Sequence, residues 1–409
     1  MHRARVGRRA AAAALAVLSV AVWAFPAAAV PVREDPRDRA TYDPYFAEQW
    51  ALGALGAPAA WARSVGRDVK VGVVDTGVDL AHEDLAGKVV AATGCLGLAP
   101  SQPCSGSAQD DAGHGTSVAG IIAADTANGK GIAAVAPGAL LVVAKALDAH
   151  GSGTVGDVAA AIHWVVDHGA RVVNLSLEAD GTTLSTPPGQ SLADAVEYAW
   201  HRGAVPVVAA GNAVPSVFGA RGYAGLDAVI VGATGRSGAL AWYSGPVAGA
   251  KWAVVAPGGD ERGPAGTPSC AGALATGCVV SAGWFRGGTN AYAVDEGTSM
   301  AAAEVSGVLA LLLAQGLTPA AAVERLLATA DAAPCGAGCV GAVDAARAVG
   351  VPTGPRPIAA AALAAPRVAP RPHRAAPLWP AVVVALIAVG AAAWGVRAVA
   401  ARSRPSRRS

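Results

Sequence analysis

A chain of 409 residues, 53% of them apolar, can bury a substantial core as one large domain or two or three smaller ones, and composition alone does not choose between these. The formal charge of +2 conceals a split: 13 of the 31 basic residues fall in 1–30 and 351–409, which hold no acidic residue, so the stretch between carries 18 basic against 29 acidic residues. An acidic body of this kind excludes nucleic acid as a natural partner.

The first element is a secretory signal over 1–29: HRARVGRR is a basic opening, AAAALAVLSVAVWAF an apolar centre, and Ala27-Ala28-Ala29 a small-residue cleavage site. The mature chain is expected to start near Val30, with 30–48 an N-terminal extension and 49–350 the main domain. There, short β-branched runs alternate with helix-like segments. Strands are expected at VKVGVVD (69–75), LLVVAKAL (140–147), RVVNLSL (171–177), AVPVVAA (204–210) and AVIVGAT (228–234). Helices are expected over 114–124, 155–168, 190–202, 298–315 and 319–330. Continuous apolar strands between helices predict an α/β fold, with a mostly parallel sheet covered on both faces. No repeat of fixed period is visible.

From 351 to 377 the chain is rich in Ala, Pro and Arg, a composition that suits an extended linker. Leu378 to Val396 follow as 19 uncharged residues, close to the roughly 20 needed to cross a bilayer. The basic tail 397–409, with Arg397, Arg402, Arg404, Arg407 and Arg408, suits the cytoplasmic side. Together the two ends predict a single-pass protein of the cell membrane with its large domain outside the cytoplasm. The six cysteines, Cys95, Cys104, Cys270, Cys278, Cys335 and Cys339, form three sequence-local pairs. In an exported chain these read as disulfides, although sequence does not fix their connectivity; zinc lacks the C-x2-C or matched His spacing it would need.

Four short stretches carry chemistry. VGVVDTGVD puts Asp75 at the carboxyl end of a strand, HGTSVAG puts His114 at the start of a helix, AAGN ends a strand with Asn212, and GTSMA puts Ser299 at the start of another helix. Each residue has an ordinary role open to it as a turn or helix cap. In an open α/β sheet, however, strand ends and helix starts converge on one crevice. The types are those that acyl transfer requires: a hydroxyl nucleophile, an imidazole base, a carboxylate that fixes the imidazole tautomer, and an amide donor for the oxyanion.

These motifs, in this order, resemble the subtilisin-like serine proteases over about residues 42–348, starting with a segment, DPYFAEQWALGALGAPAAW, similar to the amino terminus of thermitase-like members. The resemblance implies a three-layer subtilisin-like fold and a serine endopeptidase acting on protein or peptide substrates. Asp75, His114 and Ser299 would be the triad and Asn212 the oxyanion-hole donor. Ser176 and Leu177 would be part of the edge strand that pairs with substrate, and Ala210 and Gly211 part of the S1 wall. No cofactor is implied for catalysis; structural calcium is common in the family, but no ligand set can be matched here. About 40 residues between Val30 and the first strand are too few for a folded inhibitory prodomain, so no large propeptide is expected.

Three departures from the family pattern stand out. Ser117 replaces a second His, Ala302-Ala303-Glu304 replaces a continuation through Pro-His and so is expected to loosen the helix start, and Glu178 replaces a glycine after Ser176-Leu177. Glu178 would narrow the cleft or favour basic substrate side chains. The combination of signal, protease-like domain, Pro-rich linker, span and basic tail resembles the mycosins, which implies type VII secretion components as partners and leaves a non-catalytic scaffold as the alternative. An aspartic protease would need two Asp-Thr-Gly loops, and only the one at Asp75 is present.

Overall fold

The computed structural model describes residues 42–98, 102–177, 192–212, 225–261, 270, 277–286, 288, 290–333 and 335–352. The signal, most of the N-terminal extension, all but the start of the linker, the 378–396 span, the basic tail and Glu178 lie outside these residues.

Apolar, β-branched runs build a seven-stranded parallel sheet. Its strands are β1 (Lys70–Asp75), β2 (Val89–Gly94), β3 (Leu140–Lys145), β4 (Val172–Leu175), β5 (Val205–Ala209), β6 (Val229–Thr234) and β7 (Trp252–Pro257), in the order β2-β3-β1-β4-β5-β6-β7. β1 is paired with β3 from Lys70 opposite Leu140 to Asp75 opposite Lys145, and with β4 from Val71 opposite Val172. Because side chains alternate across a strand, its two faces feed two cores. Val71, Val73, Leu141 and Val143 pack in one with α1 (Trp50–Leu55), α2 (Ala57–Ala60), α3 (His114–Ala123) and α6 (Thr298–Ala314). Val74, Val142, Ala144 and Val173 pack in the other with α4 (Val155–Asp167) and α5 (Leu192–His201). Three layers result, as the sequence predicts.

The five expected strands and five expected helices are all present, trimmed by one to two residues at their described ends, with α5 described from Leu192. α4 is started by a capping box, in which Thr154 Oγ1 accepts from Asp157 N and Asp157 Oδ2 accepts from Thr154 N. α7 (Pro319–Ala328) starts on the Thr318 cap with Pro319 in the first turn, and α8 (Ala345–Ala348) on Asp344. Strands β2 and β7 go beyond the sequence reading, as does an antiparallel hairpin of β8 (Val279–Gly283) and β9 (Ala291–Asp295). The six cysteines pair as Cys95–Cys104, Cys270–Cys278 and Cys335–Cys339, the sequence-local arrangement.

One expectation is corrected. α6 runs unbroken from Thr298 to Ala314 with Ala303 in place of the proline, and its first turn is closed by Met300 N and Ala301 N donating to Gly297 O. The helix start is held by burial and these bonds rather than by proline. Among the described residues no single helix is long and apolar enough to cross a membrane. One pair, Thr298–Ala314 with Pro319–Ala328, passes by length and composition together but is bent by 120°, and the first member is the buried core helix.

The order in which strands are added to the sheet reverses about β1. The chain leaves β1 for β2 and β3 on one side and returns to β4 on the other. Such a switch opens a crevice at the carboxyl ends of the central strands.

Candidate active site

Asp75 is the last residue of β1 and is fully buried. Its Oδ1 accepts from Thr76 N at 2.7 Å and from His114 Nδ1 at 2.7 Å, while Oδ2 is buried without a hydrogen-bond partner. The first bond fixes the carboxylate against its own backbone; the second sets the tautomer that leaves Nε2 of a neutral imidazole as the acceptor. His114 opens α3, whose first turn presses on the loop after β1: a Cβ on Gly115 would lie 2.0 Å from Gly77 O. Only glycine at position 115 lets the helix approach closely enough for this bond.

Asp110, which sequence reasoning passed over, organises that approach. Its Oδ1 accepts from Thr76 Oγ1 (2.9 Å), Ala112 N (3.0 Å) and Gly113 N (2.9 Å), and its Oδ2 from Thr116 N (3.0 Å) and Thr116 Oγ1 (2.6 Å). Thr76 Oγ1 in turn accepts from Gly115 N at 2.9 Å. One buried carboxylate thus caps α3 and ties it to the residue after Asp75. Lys145, at the end of β3 opposite Asp75, donates from Nζ to Thr76 O (2.6 Å), Leu147 O (2.9 Å) and Asp111 Oδ1 (2.6 Å), so its buried charge is satisfied by two carbonyls and a carboxylate. A Lys ending an apolar strand was the available signal.

His114 is 36% exposed along its side chain. Burial alone would push the imidazole below its ordinary value, but the charge and hydrogen bond of Asp75, with the charges of Asp295 and Asp110, carry it up to about 9.

Ser299 is the second residue of α6 and 7% exposed. In this structure its Oγ donates to Ser176 O at 3.4 Å. The strand end opposite is pinned to it by a relay: Ser306 Oγ donates to Asn174 Oδ1 (2.9 Å), Asn174 Nδ2 to Ser176 Oγ (2.8 Å), and Ser176 Oγ to Ser299 O (2.8 Å). Ser176 and Leu177 follow β4 directly, which places the expected substrate edge against the serine. Ala210, Gly211 and Asn212 follow β5, and Gly211 N donates to Thr298 Oγ1 at 3.0 Å.

Asn212 Oδ1 accepts from both Thr298 N (2.8 Å) and Thr298 Oγ1 (3.1 Å). With its oxygen engaged twice, the amide presents its Nδ2 donor on the side of Gly297, where a Cβ would stand 3.3 Å away. First-turn N–H groups of a helix have no intrahelical partner, so the Ser299 amide is a donor at the start of α6, next to the Thr298 that Asn212 holds. Thr298→Val removes the hydroxyl that orients Asn212 while keeping shape. It is expected to lower kcat by roughly 5- to 30-fold, the equivalent of one to two kcal/mol, with KM little changed on a peptide substrate.

Asp75 and His114 are thus joined by one bond, Asn212 and Gly211 are tied to Thr298 and Ser176 to Ser299, and the pairing of β1 with β4 puts the two groups at the same end of the sheet, with Leu177 and Ala210 beside Ser176 and Gly211 in sequence; Glu178 lies outside the described residues. Among the described residues no group of three or more His, Cys, Asp or Glu side chains is arranged to hold a metal ion. The neighbouring acidic residues Asp43 and Asp84 are taken up by hydrogen bonds: Asp43 accepts from Ala127 N and Gly129 N, and Asp84 from Ile132 N and Asn128 Nδ2.

The profile of the Subtilase family matches residues 66–350. Thermitase from Thermoactinomyces vulgaris is 37% identical over 277 residues, a match that covers 67% of this chain and 85% of that protein. Subtilisin Savinase from Lederbergia lenta is 36% identical over 265 residues, covering 64% and 83%. Among solved structures, a protease from Pseudoalteromonas arctica PAMC 21717 superposes with a TM-score of 0.62 at 29% identity, covering 75% of this chain and 98% of that one.

Proposed function

Because the chain belongs to the subtilase family and is a subtilisin-like serine peptidase, we propose that Ser299 is its nucleophile, His114 its general base and acid, Asp75 the carboxylate that orients the imidazole, and Asn212 the oxyanion donor. The observation that carries this reading is the 2.7 Å bond between His114 Nδ1 and a fully buried Asp75, at the end of the strand that pairs with β4, whose following residue Ser176 bonds Ser299. A rotation about the Ser299 side chain exchanges its long bond to Ser176 O for one to His114 Nε2; such bonds commonly tighten only when substrate is bound. Oγ then attacks the scissile carbonyl as its proton passes to Nε2, and charge develops on the carbonyl oxygen. Asn212 Nδ2 and the Ser299 N–H receive that charge. The tetrahedral intermediate collapses, the imidazolium protonates the departing amine, and water repeats the sequence on the acyl-enzyme. Extended substrate pairs along Ser176-Leu177 by backbone bonds, with Ala210 and Gly211 walling the pocket for the residue before the cleaved bond.

The setting we propose is a cell membrane, with the peptidase outside and the basic tail inside, and a mycosin-like role beside a type VII secretion apparatus. Its support is the signal-like start, the uncharged 19-residue stretch Leu378 to Val396 and the Arg-rich tail. In cells, the full-length chain is expected to remain with membranes after alkaline carbonate extraction, and a chain lacking 378–396 to be released. Release of the full-length chain would sink the anchor. Secretion that survives Ser299→Ala would favour a scaffold role over substrate processing.

A further inference from the structure

One turn beyond His114, on the same face of α3, stands Ser117, which is 1% exposed. Its Oγ lies 2.6 Å from Asp295 Oδ2 and 2.7 Å from Ser281 Oγ, and Ser281 Oγ lies 3.1 Å from the same carboxylate oxygen. Two hydroxyl protons serve these three contacts. The shortest is a charge-assisted bond from Ser117 to the carboxylate, and the Ser281 proton goes either to Asp295 or to Ser117 Oγ. Ser117 stands where the resembling motifs carry a second histidine, so the shorter side chain makes the room that this arrangement uses. Asp295 ends β9, four residues before Ser299, and its partner strand brings Ser281. Strand and helix therefore deliver a second carboxylate to the neighbourhood of the imidazole, one turn of α3 away from it.

We propose that Asp295 is a second anionic partner of His114, a positioning residue held by Ser117 and Ser281 that stabilises the imidazolium formed during acyl transfer and moves the enzyme's working range to alkaline pH. Three carboxylates raise the ring's affinity for its proton: Asp75 from β1 by contact and charge, and Asp295 from β9 and Asp110 from the loop before α3 by charge. Asp75 sets its orientation through Nδ1. Asp110 is saturated by five donors and serves the loop. Asp295 is held by Ser117 of α3 and Ser281 of the hairpin, so its place is tied directly to the helix that carries the ring. The elevated affinity of His114 for its proton, up to about 9, agrees with this summed field.

The sign follows from the role. Only neutral His114 can accept the Ser299 proton, so the rate of nucleophile labelling climbs as pH rises through the imidazole's value and then levels off. The test is the rate of fluorophosphonate labelling of the full-length chain against pH, for the unaltered protein, Asp295→Asn and Asp295→Glu, each checked for an unchanged thermal transition. Asp295→Asn is expected to reach its plateau lower by about half to one pH unit, because one opposing charge is lost. Its plateau rate should be lower too, because the imidazolium is less stabilised. Asp295→Glu, which keeps the charge, should return the midpoint toward that of the unaltered chain even if its plateau is lower. A midpoint unmoved in Asp295→Asn, or moved equally in both variants, would overturn the proposal and leave Asp295 a structural residue. The proposal rests on His114 as base. Absence of labelling of the unaltered chain at every pH would remove that assignment and this one together, whereas labelling with an unmoved midpoint removes this one alone.

Discussion

Ser299→Ala is expected to abolish fluorophosphonate labelling and to lower the turnover of a peptide substrate by about 10⁶-fold, a figure measured on subtilisin itself for loss of the nucleophile and carried over here rather than calculated. Among the described residues the hydroxyl's one bond is the 3.4 Å contact with Ser176 O, so its removal costs the fold almost nothing. The helix start keeps its own bonds through Gly297, and Ser176 still donates to the main-chain oxygen of residue 299. A thermal transition unchanged within about 2 °C beside lost labelling would therefore isolate chemistry from folding. Residual hydrolysis above the uncatalysed rate is expected, because the oxyanion donors and the substrate edge remain. Full labelling of the variant would mean that another residue is the nucleophile.

A second large effect comes from a residue with no part in that chemistry. Glu304 lies on the same helix, 1% exposed, with Oε2 buried and without a hydrogen-bond partner. Burial alone pushes its carboxyl up to about 8. The unfolded chain gives up this proton near the ordinary 4.5, whereas the folded chain keeps it to about 8. Between those values the unfolded state binds fewer protons, so stability is greatest at the acidic end and falls as pH rises, by about 1.4 kcal/mol per pH unit. Roughly 3–5 kcal/mol is lost by pH 8, after which this contribution is flat. Glu304→Gln keeps the shape and removes the ionisation. Denaturant unfolding at pH 5, 7 and 9 should show the variant near the unaltered protein at pH 5 and several kcal/mol more stable at pH 9. Equal midpoints at pH 9 would show that Glu304 carries no such cost.

The proposed base and Glu304 set opposite demands. His114 can serve as a base only where it is neutral, in alkaline solution, and Glu304 weakens the fold there. The activity of the unaltered chain against pH should therefore be bounded on its upper side by unfolding, and Glu304→Gln should extend it.

Much of the site was legible because its parts are local. Asp75, His114, Asn212 and Ser299 each sit in a short motif at a strand end or a helix start, and β-branched runs betray the strands that carry them. What escaped depends on partners far along the chain. Asp110 and Lys145 look like ordinary loop and strand-end charges until Thr76, Thr116 and Leu147 are folded against them. β2 escaped because it is an edge strand, with alternating half-buried and exposed residues at its start instead of a continuous apolar run. The β8–β9 hairpin packs mainly on the small cluster of Ala124, Ile132 and Ala134, so its pairing is a tertiary event. Glu304 was visible as a charge in an otherwise apolar helix, but its cost follows only from knowing that every side of that helix is covered.

The strand order has a kinetic meaning. β1 is made early yet sits between β3 and β4, and the helix bearing Ser299 docks on the sheet only after all seven strands have been synthesised. Loops of this length must close before their contacts repay the entropy, so such a topology folds slowly and late. Asp75 and Ser299 are 224 positions apart, and no shorter segment of the chain holds both. A growing chain is therefore proteolytically silent until the Ser299 helix arrives. Such a delay keeps a protease from attacking its own unfolded neighbours during biosynthesis.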